Sequence, residues 1–268
     1  MGGRGSSFKR TGYTPPTMAP AGPSASPERT EPEDSRLDAV EPGGPYHYFY
    51  DKISGGWTYE GDGHHQISWF KANSNVDDVI SATTSDDRAA MRDWASGYFM
   101  GGQQYRGWDA LSMTDKEYTQ RYDDMLDKSV INKGVSVVRR TTAEFFMGAG
   151  VTRASLSDLQ ALEGKDIISK ANLSTGAAAQ GLTIGAHDKH HEIRIKIPAG
   201  SKGAGMWIGD SRINPGWKAQ QREFMMNRDI VVKVGKTTYD SSRDVYVTEV
   251  TYTGRMPHDY GKSGRLKL

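Results

Sequence analysis

Apolar positions along this chain change their period about half-way, from the repeat of helices to the two-residue repeat of strands. Met91, Trp94, Ala95 and Tyr98 recur at i, i+3, i+4 and i+7, which is one face of a helix. Ser85 is placed to cap it, Asp86 and Asp87 suit the positive end of its dipole, and Gly101-Gly102 ends it. A second helix opens on Thr114 with Glu117, read as a capping box, and buries Tyr118, Tyr122, Met125 and Leu126. Further on, Val135 to Val138 reads as a buried strand running into Arg139 and Arg140. Ser155 caps a short helix through Leu162, and Ile193, Ile195 and Ile197 alternate with Arg194 and Lys196 until Pro198 closes the strand. Three more strands are expected over 222–226, 229–234 and 245–252.

Helices first and strands afterwards argue for an α+β domain rather than a doubly wound sheet. The helical part is expected over 76–130 and a strand-rich catalytic core over 131–255. Upstream, aromatic residues flank Gly-Gly and Gly-Asp-Gly turns in YHYFYDKISGGWTYEGDGHHQISWF, which suggests a hairpin or aromatic lead-in. Residues 1–45 are rich in Gly, Ser, Pro and charge, with Leu37 and Val40 almost the only aliphatic positions. Such a stretch reads as a disordered leader to a domain over 46–268; the sharper alternative is a segment that docks and folds on a partner.

Composition removes several functions. The net charge of +1 supplies no global attraction to nucleic acid or an anionic membrane. No apolar run is long enough to span a bilayer, and the chain opens without the basic-then-apolar pattern of a secretion signal. Cysteine is absent, which excludes disulfides, thiolate ligands and a catalytic thiol. His64, His65, His187, His190 and His191 have no acidic partner at zinc spacing, so no metal is expected. Neither a P-loop nor a dinucleotide glycine loop occurs, and any nucleotide must be held another way.

Candidate chemistry lies in three places. A guanidinium at the end of the first core strand, Arg139 or Arg140, can grip a diphosphate by paired charge-assisted hydrogen bonds. Strand alternation lets only one of the two share the cleft face if the strand stays regular. Ser174 in Asn172-Leu173-Ser174-Thr175-Gly176 offers an orienting hydroxyl. Gln221 and Glu223, at i and i+2, share a strand face, and a carboxylate there can stabilise a sugar cation as a glycosidic bond breaks.

Taken in order, Arg139, Ser174-Thr175 and Gln221-x-Glu223 resemble the arginine–serine–glutamate signature of the mono-ADP-ribosyltransferase toxins, the clostridial exoenzymes and binary-toxin catalytic domains. Arg140 is similar to a second arginine of the actin-modifying binary toxins, and Ala143-Glu144-Phe145 to their Q-E-F run. Val138 stands where an aromatic residue is common, and Gly176 where the family usually has a hydroxyl. The resemblance implies a helical lobe packed on a mixed β-sandwich with an NAD cleft, and NAD as the substrate. It implies Glu223 as catalytic carboxylate, Arg139 as phosphate clamp with Arg140, and Ser174 as orienting group. Asn172 would be a further cofactor contact, Gln221 the acceptor-side group, and Trp217 the exposed aromatic that grips a target. Glutamine at the first motif position resembles exoenzymes that modify Asn or Gln side chains, so the implied acceptor is a host protein. Family members that modify guanine bases share Gln-x-Glu and keep a nucleic-acid acceptor open. The opening Met-Gly-Gly-Arg-Gly-Ser-Ser resembles leaders of phage head-associated proteins. A virion protein retaining the transferase fold, docked through its leader, is therefore the alternative function, with the virion or host cytoplasm as location.

Overall fold

Thr84 and Asp87 start the first long helix by satisfying each other's backbone. The Asp87 N–H donates to Thr84 Oγ1 at 3.2 Å and the Thr84 N–H donates to Asp87 Oδ2 at 2.9 Å. The cap thus lies one residue before Ser85, because the reciprocal bond needs an acid three places on and Asp87 stands there for Thr84. The next helix likewise opens on Ser112, whose Oγ accepts from the Asp115 N–H at 3.1 Å, two residues ahead of the expected Thr114.

The computed structural model describes residues 37–38, 48–51, 56–59, 69–96, 107–148, 151–176, 190–210, 212–213, 223–262 and 264–267. The chain divides at Asp34 and Ser35 into two compact units, and every described residue belongs to the second. A small antiparallel sheet joins β1 (Leu37–Asp38), β2 (Tyr48–Asp51) and β3 (Gly56–Tyr59). Pairing with β2 therefore begins at Leu37, inside the stretch read as leader. Helices α1 (Val76–Ser81), α2 (Ser85–Ser96) and α3 (Met113–Leu126) follow, then β4 (Val130–Ile131) and β5 (Val135–Thr141). Short helices α4 (Glu144–Met147) and α5 (Leu156–Gln160) lead to β6 (Asp166–Ser169) and β7 (Leu173–Gly176). The remaining strands are β8 (His191–Ile197), β9 (Ser201–Lys202), β10 (Gly205–Trp207), β11 (Glu223–Met226), β12 (Ile230–Asp240) and β13 (Val245–Arg255). Tyr98, Gly101 and Gly102 lie outside the described residues.

Eight strands form one mixed sheet in the order β10-β11-β7-β5-β8-β13-β12-β6, with β8 and β13 parallel. One face meets the helices. Ile193, Ile195, Ile197, Val135, Val137 and Phe224 are buried there with Phe70, Met91, Tyr122 and Leu126. Phe70 stacks on Trp207 at 5.2 Å and tilts against Phe224 at 5.4 Å, and Tyr122 Oη donates to Ala90 O at 2.8 Å to tie α3 to α2. Both sides of β8 are buried, so Arg194, on the side opposite the isoleucines, is wholly enclosed.

At the C-terminal end of α3, the chain after β13 is pinned by a polar network. His258 bridges Asp229 Oδ2 at 3.1 Å and Asp127 Oδ1 at 3.0 Å, and lies 3.5 Å from Asp123. Arg228 donates to both Asp123 oxygens and to Asp229, Tyr260 Oη donates to Asp123, and Arg255 pairs with Asp127. Burial opposes the imidazolium, but the bonds to Asp127 and Asp229 and the charge of Asp123 outweigh it and raise the His258 pKa. Burial also opposes ionisation of Asp127 and Asp229, yet His258 and the nearby cations hold both below the usual carboxylate value. Asp123 goes the other way, pushed up by its burial against the pull of Arg228 and His258.

A raised histidine pKa stabilises fully below its ordinary value of 6.5 and loses that contribution as pH rises through the folded value. Depressed carboxylates stabilise above their ordinary value of 3.8 and lose the effect as pH falls through the folded values. His258→Asn should therefore lower the melting temperature most between about pH 5 and 6, with the gap from wild type closing toward alkaline pH. Melting curves across that range check it; a gap that widens with pH is the contrary result.

Candidate active site

Strands β7 and β5 join the two halves of the sheet through the pair Val138 and Gly176, the sole pairing between them among the described residues. Past that point Arg139, Arg140 and Thr141 stay paired with β8, while β7 stays paired with β11, so the sheet splays between them. A splay between strands leaves backbone groups and side chains facing a gap that a ligand can fill.

Register decides which side chains share the gap. Gly176 lies across from Val138 on one side and from Glu223 on the other. Residues directly opposite point to the same face, and alternation adds Arg140 on β5 and Ser174 on β7 to the face of Glu223. The strand runs regularly to Thr141, so the arginines fall on opposite faces, as alternation demands. β11 and β5 are two strand steps apart, roughly 10 Å. Gly176 carries no side chain between them. Glu223 itself is 6% exposed.

Arg139 pairs across to Ile193 on the other face, but its Nη1 reaches over the splay and donates to the Ser174 carbonyl at 2.6 Å. That bond fixes the main chain of β7 where Ser174 stands. Thr175 Oγ1 donates to Phe224 O at 2.6 Å and Asn172 Nδ2 to Met226 O at 3.2 Å, so both side chains bind β7 to β11. Asn172 is buried, with its amide donating into the sheet. Arg140 Nε lies 3.4 Å from Glu192 Oε2 on β8, a carboxylate that also receives Arg194 and Arg243. These three residues were not candidates from the sequence; the only signal was the charge of Glu192 and Arg194 interleaved with isoleucines. Trp217 and Gln221 lie outside the described residues.

Asp210 is buried, its usual pKa lowered because hydrogen bonds from Arg212 outweigh burial, and Arg212 continues to Asp77 on α1. His191 packs between Phe146 and Tyr246, with ring centroids 6.5 Å and 5.5 Å away. Burial, with help from His190, holds its pKa below the usual imidazole value. Among the described residues no group of His, Asp and Glu is arranged to hold a metal ion, and no helix is long and apolar enough to cross a membrane.

A sequence model described as ADP-ribosyltransferase exoenzyme matches residues 73–253, which include both arginines, Ser174 and Glu223. The chain belongs to that family. It is an NAD-dependent ADP-ribosyltransferase, with NAD as its substrate. Among solved structures, the ADP-ribosyltransferase fold recurs in C3stau2 from S. aureus, determined with NAD, at 15% identity and a TM-score of 0.57; the match covers 72% of this chain and 96% of that one. Plx2a, an ADP-ribosyltransferase toxin from Paenibacillus larvae, gives 15% identity and a TM-score of 0.58 over 72% and 96% of the two chains. BECa, an ADP-ribosylating toxin of a C. perfringens binary enterotoxin determined with NADH, gives 18% and 0.58 over 73% of this chain and 49% of its own. The search of curated protein sequences returned no match.

Proposed function

We propose that this ADP-ribosyltransferase binds NAD across the splay between β5 and β7 and transfers ADP-ribose to an Asn or Gln side chain of a protein. The supporting observation is the common face of Arg140, Ser174 and Glu223, with Arg139 bonded to Ser174 across the gap. Arg140, on the face of Glu223, and Arg139, which reaches over the splay from the other face, grip the diphosphate from the β5 side, and Ser174 orients Glu223. The Glu223 carboxylate accepts a hydrogen bond from the 2′-hydroxyl of the nicotinamide ribose. It stabilises the positive charge that spreads over the sugar as the C1′–N bond to nicotinamide breaks. The acceptor nitrogen then bonds C1′ and releases its proton to solvent.

Gln221 is the acceptor-side residue in this reading and Trp217 the contact to the target surface. The assignment of acceptor rests on glutamine, rather than a second carboxylate, at the first motif position. Incubation with adenylate-labelled NAD and host lysate, followed by peptide sequencing of the modified protein, tests it. Adducts on Asn or Gln are expected; adducts on arginine or on nucleic acid would overturn the acceptor. Gln221→Ala should reduce protein modification by about 10²-fold while leaving NAD hydrolysis nearly intact, because water needs no guide to C1′. Equal loss of both activities would remove Gln221 from the acceptor side.

A further inference from the structure

We infer that Glu192 is a positioning residue for NAD, holding the Arg140 guanidinium on the face of the sheet that carries Ser174 and Glu223. The inference rests on the reading of Arg140 as one arm of the diphosphate clamp. β8 sets Glu192 directly across from Arg140, and its side chain is 0% exposed. Arg194, two residues along the same strand, donates Nε to Glu192 Oε1 at 3.0 Å and pairs in charge with it. Arg243, from the turn between β12 and β13, donates Nη1 to Glu192 Oε2 at 2.7 Å and is itself held by Asp240 at 2.7 Å. A buried carboxylate with one cation is already neutral, and here Arg194 and Arg243 supply two. Arg140 is thus not needed to neutralise Glu192. Its contact is the longest of the three, at 3.4 Å, and is made through Nε.

The physical consequence is a fixed anchor beside a side chain that is otherwise costly to order. Arginine loses substantial rotamer freedom when it grips a ligand, and holding it in place beforehand lowers that cost. Glu192 is immobilised by two strong charge-assisted bonds, so it can define where Arg140 sits. The β12–β13 turn enters the substrate site by this route: Arg243 braces Glu192, and Glu192 braces Arg140.

Glu192→Asp separates geometry from charge. It keeps the buried carboxylate and withdraws it by one methylene from Arg140. In an NAD hydrolysis assay the KM for NAD should rise about tenfold, with kcat within about twofold of wild type. In an Arg140→Ala background, where KM is already raised, Glu192→Asp should add nothing, because the residue it positions is gone. Arg243→Gln, at a side chain 28% exposed on the turn, carries the same test if Glu192→Asp does not fold. Its expected rise of about threefold should likewise vanish without Arg140. A lowered melting temperature with unchanged KM, or equal increments with and without Arg140, would overturn the inference while leaving the clamp standing. If Arg140→Ala itself leaves KM unaltered, the clamp reading is wrong and the inference falls with it.

Discussion

Glu223→Ala should slow both NAD hydrolysis and transfer to protein by about 10²–10³-fold, since both reactions cross the same sugar-cation barrier. The carboxylate sits on β11 opposite Gly176, in a nearly water-free position where a fixed negative charge acts through a low dielectric. The loss should appear in kcat more than in KM, because the interaction strengthens as the glycosidic bond breaks rather than when NAD binds. Fold damage should be small, within about 1 kcal/mol, because β11 keeps its pairing to β7 and β10 and its core side chains Phe224 and Met226. Single-turnover release of nicotinamide, measured beside the melting temperature, checks both halves. Hydrolysis at the wild-type rate would remove Glu223 from the chemistry, and loss of fold would mean the rate says nothing about mechanism.

Arg228→Ala should destabilise the chain by about 3–5 kcal/mol, a large part of what holds an ordinary domain together. Arg228 is 7% exposed and bonds Asp123 at 2.8 and 2.9 Å and Asp229 at 2.9 Å, and those carboxylates are 0% and 2% exposed. Removing it leaves both carboxylates buried beside His258 as the principal cation. The loss should exceed that of Arg255→Ala, whose partner Asp127 is 32% exposed, because screening leaves a partly exposed pair with at most about 1 kcal/mol. Urea unfolding of the two variants side by side measures the difference. A cost for Arg228→Ala no larger than for Arg255→Ala would show that the network does not hold the C-terminal stretch. The effect should leave NAD hydrolysis at low temperature nearly unchanged, since Arg228 lies on the turn between β11 and β12 and away from the splay.

Several elements were legible in the sequence because local physics determined them. Tyr122, Met125 and Leu126 form the buried face of α3, as their spacing demands, and Ser155 with Asp158 caps α5. Ile193, Ile195 and Ile197 face the helices, and Pro198 closes β8. The caps of the two longer helices were displaced by one and two residues. Several Ser, Thr and acid combinations compete there, and the reciprocal geometry chooses among them. Alternation set Arg194 off the isoleucine face, but periodicity does not record what covers the second side of a strand. Only the pairing of β8 between β5 and β13 encloses it.

Of the candidate site, the sequence by itself determined the residue types and their order: a cation and a carboxylate on strands set by local composition and strand propensity, with a hydroxyl between them whose strand it did not show. Which arginine shares the face of Glu223 could not come from it. That depends on the register of Val138 against Gly176 and of Gly176 against Glu223, contacts that tie residues far apart in the chain. The three-arginine hold on Glu192 and the bond from Arg139 to the Ser174 carbonyl are likewise products of strand order. Side-chain period and propensity act over a few neighbouring residues, whereas register and burial on a second face are settled only when distant strands meet.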